Sequence, residues 1–215
     1  MSTLRAVSIA VALGLPACAP AAPPPPSPAP AASASSSPAA DPVAGWEKGP
    51  WARYHSLRHG VFVPLPDGRA WQIDDHVSDW MVATHAASTS VLRLRVLREA
   101  HGMNKTKCEA RARALDPNLP KAETGRVIVE SDDVLPGWDA HLVAFVVPKK
   151  ESLDAHLMVF ASNLRRCLLV HYATRSSSKD SEAVVGARLG DMGDVVRRLV
   201  LEDERTGPAP EPRGP

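Results

Sequence analysis

Four groupings of side chains have types and spacings that could do chemistry. His55 and His59 stand four apart, as two imidazoles on one helical turn must to share a metal ion. The metalloprotease form places a glutamate directly after the first histidine; this chain has Ser56 there, with Gly60 and a strand following. Asp74 and His76 stand two apart, which on a strand puts both on one face, with Asp79 and His85 near enough to complete a cation site. Cys167 and His171 offer a thiol and an imidazole, yet four residues of strand span about 13 Å, too far for proton transfer. Gly186-x-x-x-Gly190 follows no clear strand-to-helix turn of the phosphate-binding kind, and no Gly-x-Ser-x-Gly nucleophile elbow is present. Surface histidines, a polar turn and ordinary strand positions account for the same residues. The expectation is therefore no catalytic residue, no metal and no cofactor.

Arginines and tryptophans offer binding rather than catalysis. Arg93, Arg95 and Arg98 sit on or beside one strand, Arg111 and Arg113 on the first helix, Arg197 and Arg198 on the last. Joined, they would greet an acidic partner or anionic lipid; balanced by neighbouring acids, they form a solvated face. The 215-residue chain carries 25 Lys and Arg against 24 Asp and Glu, a formal net charge of +1. That balance gives no general electrostatic case for nucleic acid or an anionic membrane surface. Trp71 belongs to the core. Trp46, Trp51, Trp80 and Trp138 fall near the ends of elements, where exposed aromatic rings would favour a protein interface.

The elements that position these groups follow from hydrophobic period. Val61, Val63 and Leu65 alternate, and Pro66-Asp67-Gly68-Arg69 turns the chain into Trp71 and Ile73. A strand covers Trp80 to His85. Leu92, Leu94 and Val96 face one way and Arg93 and Arg95 the other, a half-buried strand. Thr106-Lys107-Cys108-Glu109 fits a capping box, after which Cys108, Ala112 and Leu115 share a helical face. Strands follow at Val127 to Glu130, His141 to Val147, Leu153 to Phe160 and Cys167 to Thr174; the second is apolar on both faces, as a strand covered on two sides must be. The last helix is clearest from Met192 to Leu201. Gly186, Gly190 and Gly193 leave 183–189 as either a broken first helical piece or an extended lead-in. The pattern predicts an α+β fold: an α-β-α sandwich with a mostly antiparallel sheet of about six to seven strands and two main helices.

The stretch Phe62-Val63-Pro64-Leu65-Pro66-Asp67-Gly68-Arg69-Ala70-Trp71 resembles the first hairpin of PsbP-like domains. The order of elements is similar too, as is Cys167-Leu168-Leu169-Val170-His171-Tyr172-Ala173-Thr174 with Arg188-Leu189 after it. That group includes exported bacterial lipoproteins, an accessory protein of photosystem II and a nuclear Ran-binding factor. The resemblance implies an α-β-α sandwich and carries no catalytic residue onto this chain, because fold does not imply function.

The N-terminus resembles a bacterial lipoprotein signal. Arg5 precedes the apolar run Ala6 to Leu15, too short for a membrane span, and Leu15-Pro16-Ala17-Cys18 ends it. In a lipobox the cysteine is lipidated and becomes the first residue of the mature chain; Pro16 departs from the usual small residue. Simple secretion, with cleavage near Ala17-Cys18-Ala19, is the first alternative and an uncleaved N-terminus the second. The expected organisation is a signal peptide over 1–17, lipidated Cys18 with a Pro/Ala/Ser-rich disordered tether over 18–43, one α+β domain over 44–204 and a disordered Pro/Gly tail over 205–215. The tether, in extended polyproline form, could reach roughly 75 Å.

With Cys18 given to lipid, Cys108 and Cys167 remain as a pair in an oxidising compartment. A disulfide between them is the first reading, two free buried thiols the second and a catalytic thiol the last. The functional expectation is a lipid-anchored protein of the bacterial cell envelope, outer membrane favoured. Its soluble domain would be a non-catalytic accessory or binding module with an envelope protein partner and no nucleic acid. The alternative is a carrier of a small apolar or lipid ligand, and the third is an envelope hydrolase. An apolar pocket of several hundred cubic ångströms would favour the carrier; a filled core with an exposed aromatic patch would favour the module.

Overall fold

The computed structural model describes residues 51–202. Cys18, the 18–43 tether, Trp46 and the 205–215 tail lie outside the described residues. The elements run β1 (Ala52–Ser56), β2 (Val61–Leu65), β3 (Trp71–Asp74), β4 (Met81–His85), β5 (Ser90–Arg98), α1 (Lys105–Leu115), β6 (Arg126–Ser131), β7 (Asp139–Pro148), β8 (Leu153–Asn163), β9 (Arg166–Ser176), α2 (Ser181–Arg197) and β10 (Val200–Leu201). Seven strands form one sheet in the order β3-β4-β5-β9-β8-β7-β6, and β1-β2-β10 form a second, three-stranded sheet. Every pairing is antiparallel.

The central strands alternate between the two faces of the large sheet. Leu142, Ala144, Leu157, Val159, Leu168, Val170 and Tyr172 pack with Val185, Leu189, Met192 and Val196 of α2. Val143, Phe145, Met158, Phe160 and Leu169 pack with Cys108 and Ala112 of α1. The expected α-β-α sandwich is the observed fold, with one helix on each face.

Several local expectations change. Asn104 caps α1, its side chain accepting from the Lys107 N–H at 2.8 Å, so the helix begins before the expected Thr106 box. α2 is continuous from Ser181, so 183–189 is helical despite its glycines. Six apolar α2 side chains buried on the sheet outweigh a cost of about 1 kcal/mol per glycine. β2 and β3 form no hairpin: β2 pairs with β1 and β10, and the turn carries the chain from the small sheet to the large one. There Asp67 is left-handed at φ 52, and a Cβ on Gly68 would lie 2.0 Å from the Ala52 Cβ, so only glycine lets β1 pass. Arg93 and Arg95 do not point to open solvent; they lie on the α1 face and pair with Asp116 at 2.8 Å and Asp79 at 3.2 Å. Arg111, Arg113 and Arg197 pair with Glu99, Glu109 and Asp194, so the arginines make no joined basic patch.

Candidate functional site

An apolar concavity lies on the α2 face. The stripe Gly186, Gly190 and Gly193 runs along one side of α2, and a Cβ at Gly186 or Gly190 would meet nothing within 4 Å. Glycines at i, i+4 and i+7 share a helical face, so the helix presents bare backbone where side chains would otherwise fill the gap to the sheet. Ala144, Leu142 and Leu157 form the floor, and Ile128, Val129 and Val134 the far wall. The groove so formed holds about 330 Å³. Ser131, Asp133 and Arg197 supply its polar rim. Arg197 is held by Asp194 at 2.6 Å.

The far wall is unusual. β6 is an edge strand, bonded only to β7, and Val127, Ile128 and Val129 are 45%, 45% and 49% exposed. A bulge between Val127 and Val129 breaks the pairing register with β7. It leaves Val127 opposite Phe145 on the α1 face, while Ile128 and Val129 both line the groove. Two neighbouring apolar side chains thus extend the groove instead of alternating across the sheet.

A buried polar network lies elsewhere on the α2 face. Tyr172 Oη is 2.9 Å from Ser90 Oγ, and Arg188 donates to Thr174 Oγ1 at 3.1 Å and to the Arg175 carbonyl at 3.0 Å. Burial pushes the Tyr172 hydroxyl up to about 12 and draws the Arg188 guanidinium down. His85 Nδ1 lies 2.7 Å from Ser88 Oγ and Nε2 lies 3.6 Å from Asp67 Oδ2. Acid, imidazole and hydroxyl thus stand in the order of a hydrolytic triad. Ser88 is 0% exposed and its Oγ also contacts Ser90 Oγ, so no substrate carbonyl can reach it. The arrangement joins loop and strands; it cannot attack a substrate.

A shallow polar cleft of about 550 Å³ sits at the start of α1. Lys105 and His141 both reach Asp132, at 2.7 and 2.9 Å. Lys105 and His141 hold the Asp132 carboxyl below its ordinary value, and Asp132 raises Lys105 in return. Its charges satisfy one another. Among the described residues no group of three or more His, Cys, Asp or Glu side chains is placed to hold a metal ion.

The sites expected from sequence are scattered. Cys108 and Cys167 are bonded, with Cα atoms 5.5 Å apart, and the disulfide ties α1 to β9. His55 stacks on Phe62 and contacts Glu202 at 2.7 Å, whereas His59 is buried in the turn after β1, 3.7 Å from Asp75; they do not converge. Asp74 accepts from the N–H groups of His76 and Val77, a turn closure. Trp80, expected at an exposed end, is buried on the α1 face, packed with that side's core and covered by the Arg93 guanidinium. Trp138 is half-buried against the α2-side core beneath Arg166, and Trp51 is exposed beneath Arg198. Three arginines thus cover three tryptophans in separate places, and these three form no shared aromatic surface. The groove was the site missed from sequence. Its signals were the glycine spacing, taken as helix breaking, and three consecutive apolar residues on a strand.

No protein-family model matches the sequence. No curated protein resembles it in sequence. Solved structures do resemble the fold. A point variant of Mog1 superposes with a TM-score of 0.51 at 10% identity, covering 73% of this chain and 98% of that one. The Saccharomyces cerevisiae Ran-binding protein Mog1p superposes at 0.49, with 10% identity over 72% and 97%. A Bacteroides thetaiotaomicron protein gives 0.46 at 10% identity, over 71% of this chain; the chain spans 49% of that protein's length. LpqN, involved in cell envelope biogenesis of Mycobacterium tuberculosis, gives 0.42 at 13% identity, over 72% and 91%. At such identities the likeness is one of architecture, and this chain shares with Mog1 a helix-flanked antiparallel sheet.

Proposed function

We propose that this protein is a lipid-anchored, non-catalytic binding module of the bacterial envelope, held to a membrane through Cys18, whose α2/β6 groove engages an envelope protein partner. One observation carries the choice of surface: bare helix backbone and an apolar edge strand, paired on one side only, face each other across an open groove. Exposed apolar surface of that kind marks interaction sites on soluble domains. An apolar segment of the partner fits it, because the edge of β6 offers free main-chain groups and the groove accepts side chains.

A second reading rests on the groove's volume. About 330 Å³ falls at the lower end of the range for small-molecule sites, which favours a carrier of a small apolar or lipid ligand. Gly190→Leu tests both, since its side chain would enter empty space and fill the groove. The intact lipoprotein and this variant are captured from membranes in parallel. A protein retained by the first and lost by the second supports the module; a lipid with that behaviour replaces it with the carrier. Equal retention of everything would sink the groove as the site. The mass of the mature N-terminal peptide, with Cys18→Ser as the control, tests the anchor separately.

A further inference from the structure

The large apolar side chains that solvent reaches most all stand in turns at one end of the sandwich. Leu57, Val77 and Leu164 are 80%, 87% and 82% exposed, and every other large apolar side chain among the described residues is 49% exposed or less. Leu57 lies in the β1–β2 turn, Val77 in the β3–β4 loop and Leu164 in the β8–β9 turn. Hydrogen bonds join these turns. Arg58, next to Leu57, donates to the Asp75 and Ser78 carbonyls on either side of Val77. Arg166, two residues after Leu164, donates to the Glu202 carbonyl at 2.7 Å, and the Glu202 N–H donates to the Gly60 carbonyl at 2.8 Å.

A lone exposed leucine needs no explanation, but Leu164 is also strained. It has φ 56 and is the first of the two residues that join Asn163 of β8 to Arg166 of β9. Glycine is the usual residue at positive φ in such a turn, because a Cβ there crowds the backbone. The chain thus accepts backbone strain and exposed apolar surface at one position, and a contact outside the molecule would offset both. Asn163 donates to the Gly137 carbonyl at 3.0 Å, which sets this turn beside half-buried Trp138, a side chain suited to the boundary of water and lipid.

A lipid surface is the occupant that fits. At these exposures the three side chains barely touch one another, so they make no continuous dry patch of the kind a protein partner buries. Separate tips projecting from turns can each enter a fluid interface alone. Charge is not the attraction, since Arg58 pairs with Asp79 and Lys105 with Asp132 at this end. Reach permits the contact. β8 and β9, at 11 residues each, are about 36 Å long. The chain enters β1 at the opposite end, beside Gly68, yet the 18–43 segment alone spans roughly 75 Å when extended.

We propose that Leu57, Val77 and Leu164 dip into a membrane interface and lay this end of the sandwich on lipid. The proposal rests on the lipid-anchored reading for proximity to a membrane and not on the groove.

The chain from residue 18 onward, with Cys18→Ser so that it carries no lipid and with every described residue kept, is mixed with phosphatidylcholine vesicles, and the bound fraction is read by flotation. Together the three side chains approach one myristoyl chain, whose association constant is about 10⁴ M⁻¹, so about 1 mM lipid suffices. Leu57→Ser, Val77→Ser and Leu164→Ser each weaken partitioning about tenfold, and the triple variant does not bind. About 0.5 M salt leaves binding intact, as apolar insertion requires. Leu164→Gly raises the thermal midpoint by relieving the turn and still weakens binding about tenfold, a combination that a purely structural leucine would not give. Gly190→Leu, which fills the groove, leaves vesicle binding unchanged, so the groove and the lipid contact fail separately. No binding by the unaltered chain, binding that survives the triple change, or binding confined to anionic vesicles and lost in salt would each overturn the proposal. A captured protein that the triple variant loses, without vesicle binding, would replace lipid with a protein partner.

Discussion

The two faces of the large sheet are closed by opposite means. On one, the short helix α1 is tied to β9 by the Cys108–Cys167 disulfide, and Trp80, Phe145, Phe160 and Met158 fill the space beneath it. On the other, the longer α2 has no covalent tie and turns a glycine stripe toward a groove left open beside β6. α1 has only two buried side chains of its own, too few to hold a helix of 11 residues on a sheet, so a covalent link supplies the rest. α2 buries eight residues and can give up packing along one edge. The α1 face relies on a covalent tie over a small core, and the α2 face on a larger packed core that leaves a groove open at one edge.

The strongest way to break this contrast is to remove the bond. Replacing Cys108 and Cys167 with Ala frees a loop with a sequence separation of 59 residues. In the loop-entropy treatment this lowers stability by about 4 kcal/mol, read by urea denaturation. A loss below about 1 kcal/mol would show that α1 is held by packing after all.

Acid should be the next largest perturbation, also through the α1 face. Burial holds His171 at about 4, against 6.5 for the exposed group. Above pH 6.5 both states are neutral and the residue adds no pH dependence. Between pH 6.5 and about 4 only the unfolded chain takes up the proton, so stability falls as pH falls, by about 3 kcal/mol in all, and then levels off. Urea midpoints from pH 8 to 4 should show this slope, and His171→Gln should flatten it. An unchanged slope in the variant would assign the acid sensitivity to other groups.

Adding atoms to each face sharpens the comparison further. Ala112 is 0% exposed under α1, so Ala112→Leu overpacks that face and costs about 1–3 kcal/mol. Gly190→Ala on α2 points its methyl into open space, and gains up to about 1 kcal/mol from helix propensity while narrowing the groove. Thermal midpoints should move in opposite directions. If both variants lose stability, the groove is closed in solution.

Much of the sandwich was legible from period alone. Leu92, Leu94 and Val96 alternate, His141 to Val147 is apolar on both faces, and each became the strand expected. The capping residue of α1 was misplaced by two positions because Asn104 and Thr106 are both competent caps, and the backbone chose Asn104. The groove was half legible: the glycine spacing stands in the sequence, but whether a glycine face meets a packed neighbour or empty space depends on where the opposing strands end. The bulge at Ile128 is of the same kind, since one extra residue in β6 sets which side chains face the groove, and nothing local announces it.

By itself the sequence determined the elements, the two-sided burial of the central strands and the supply of cysteines, because each depends on residue type and short-range period. Only the tertiary structure decided which distant residues meet. β8–β9 register sets His171 against Met158 and so brings its ring to His156; α1 docking sets Cys108 on Cys167; the path of β1 makes Gly68 obligatory. Those contacts depend on strand register and helix docking, which are settled by the packing of the whole core rather than by any segment within it.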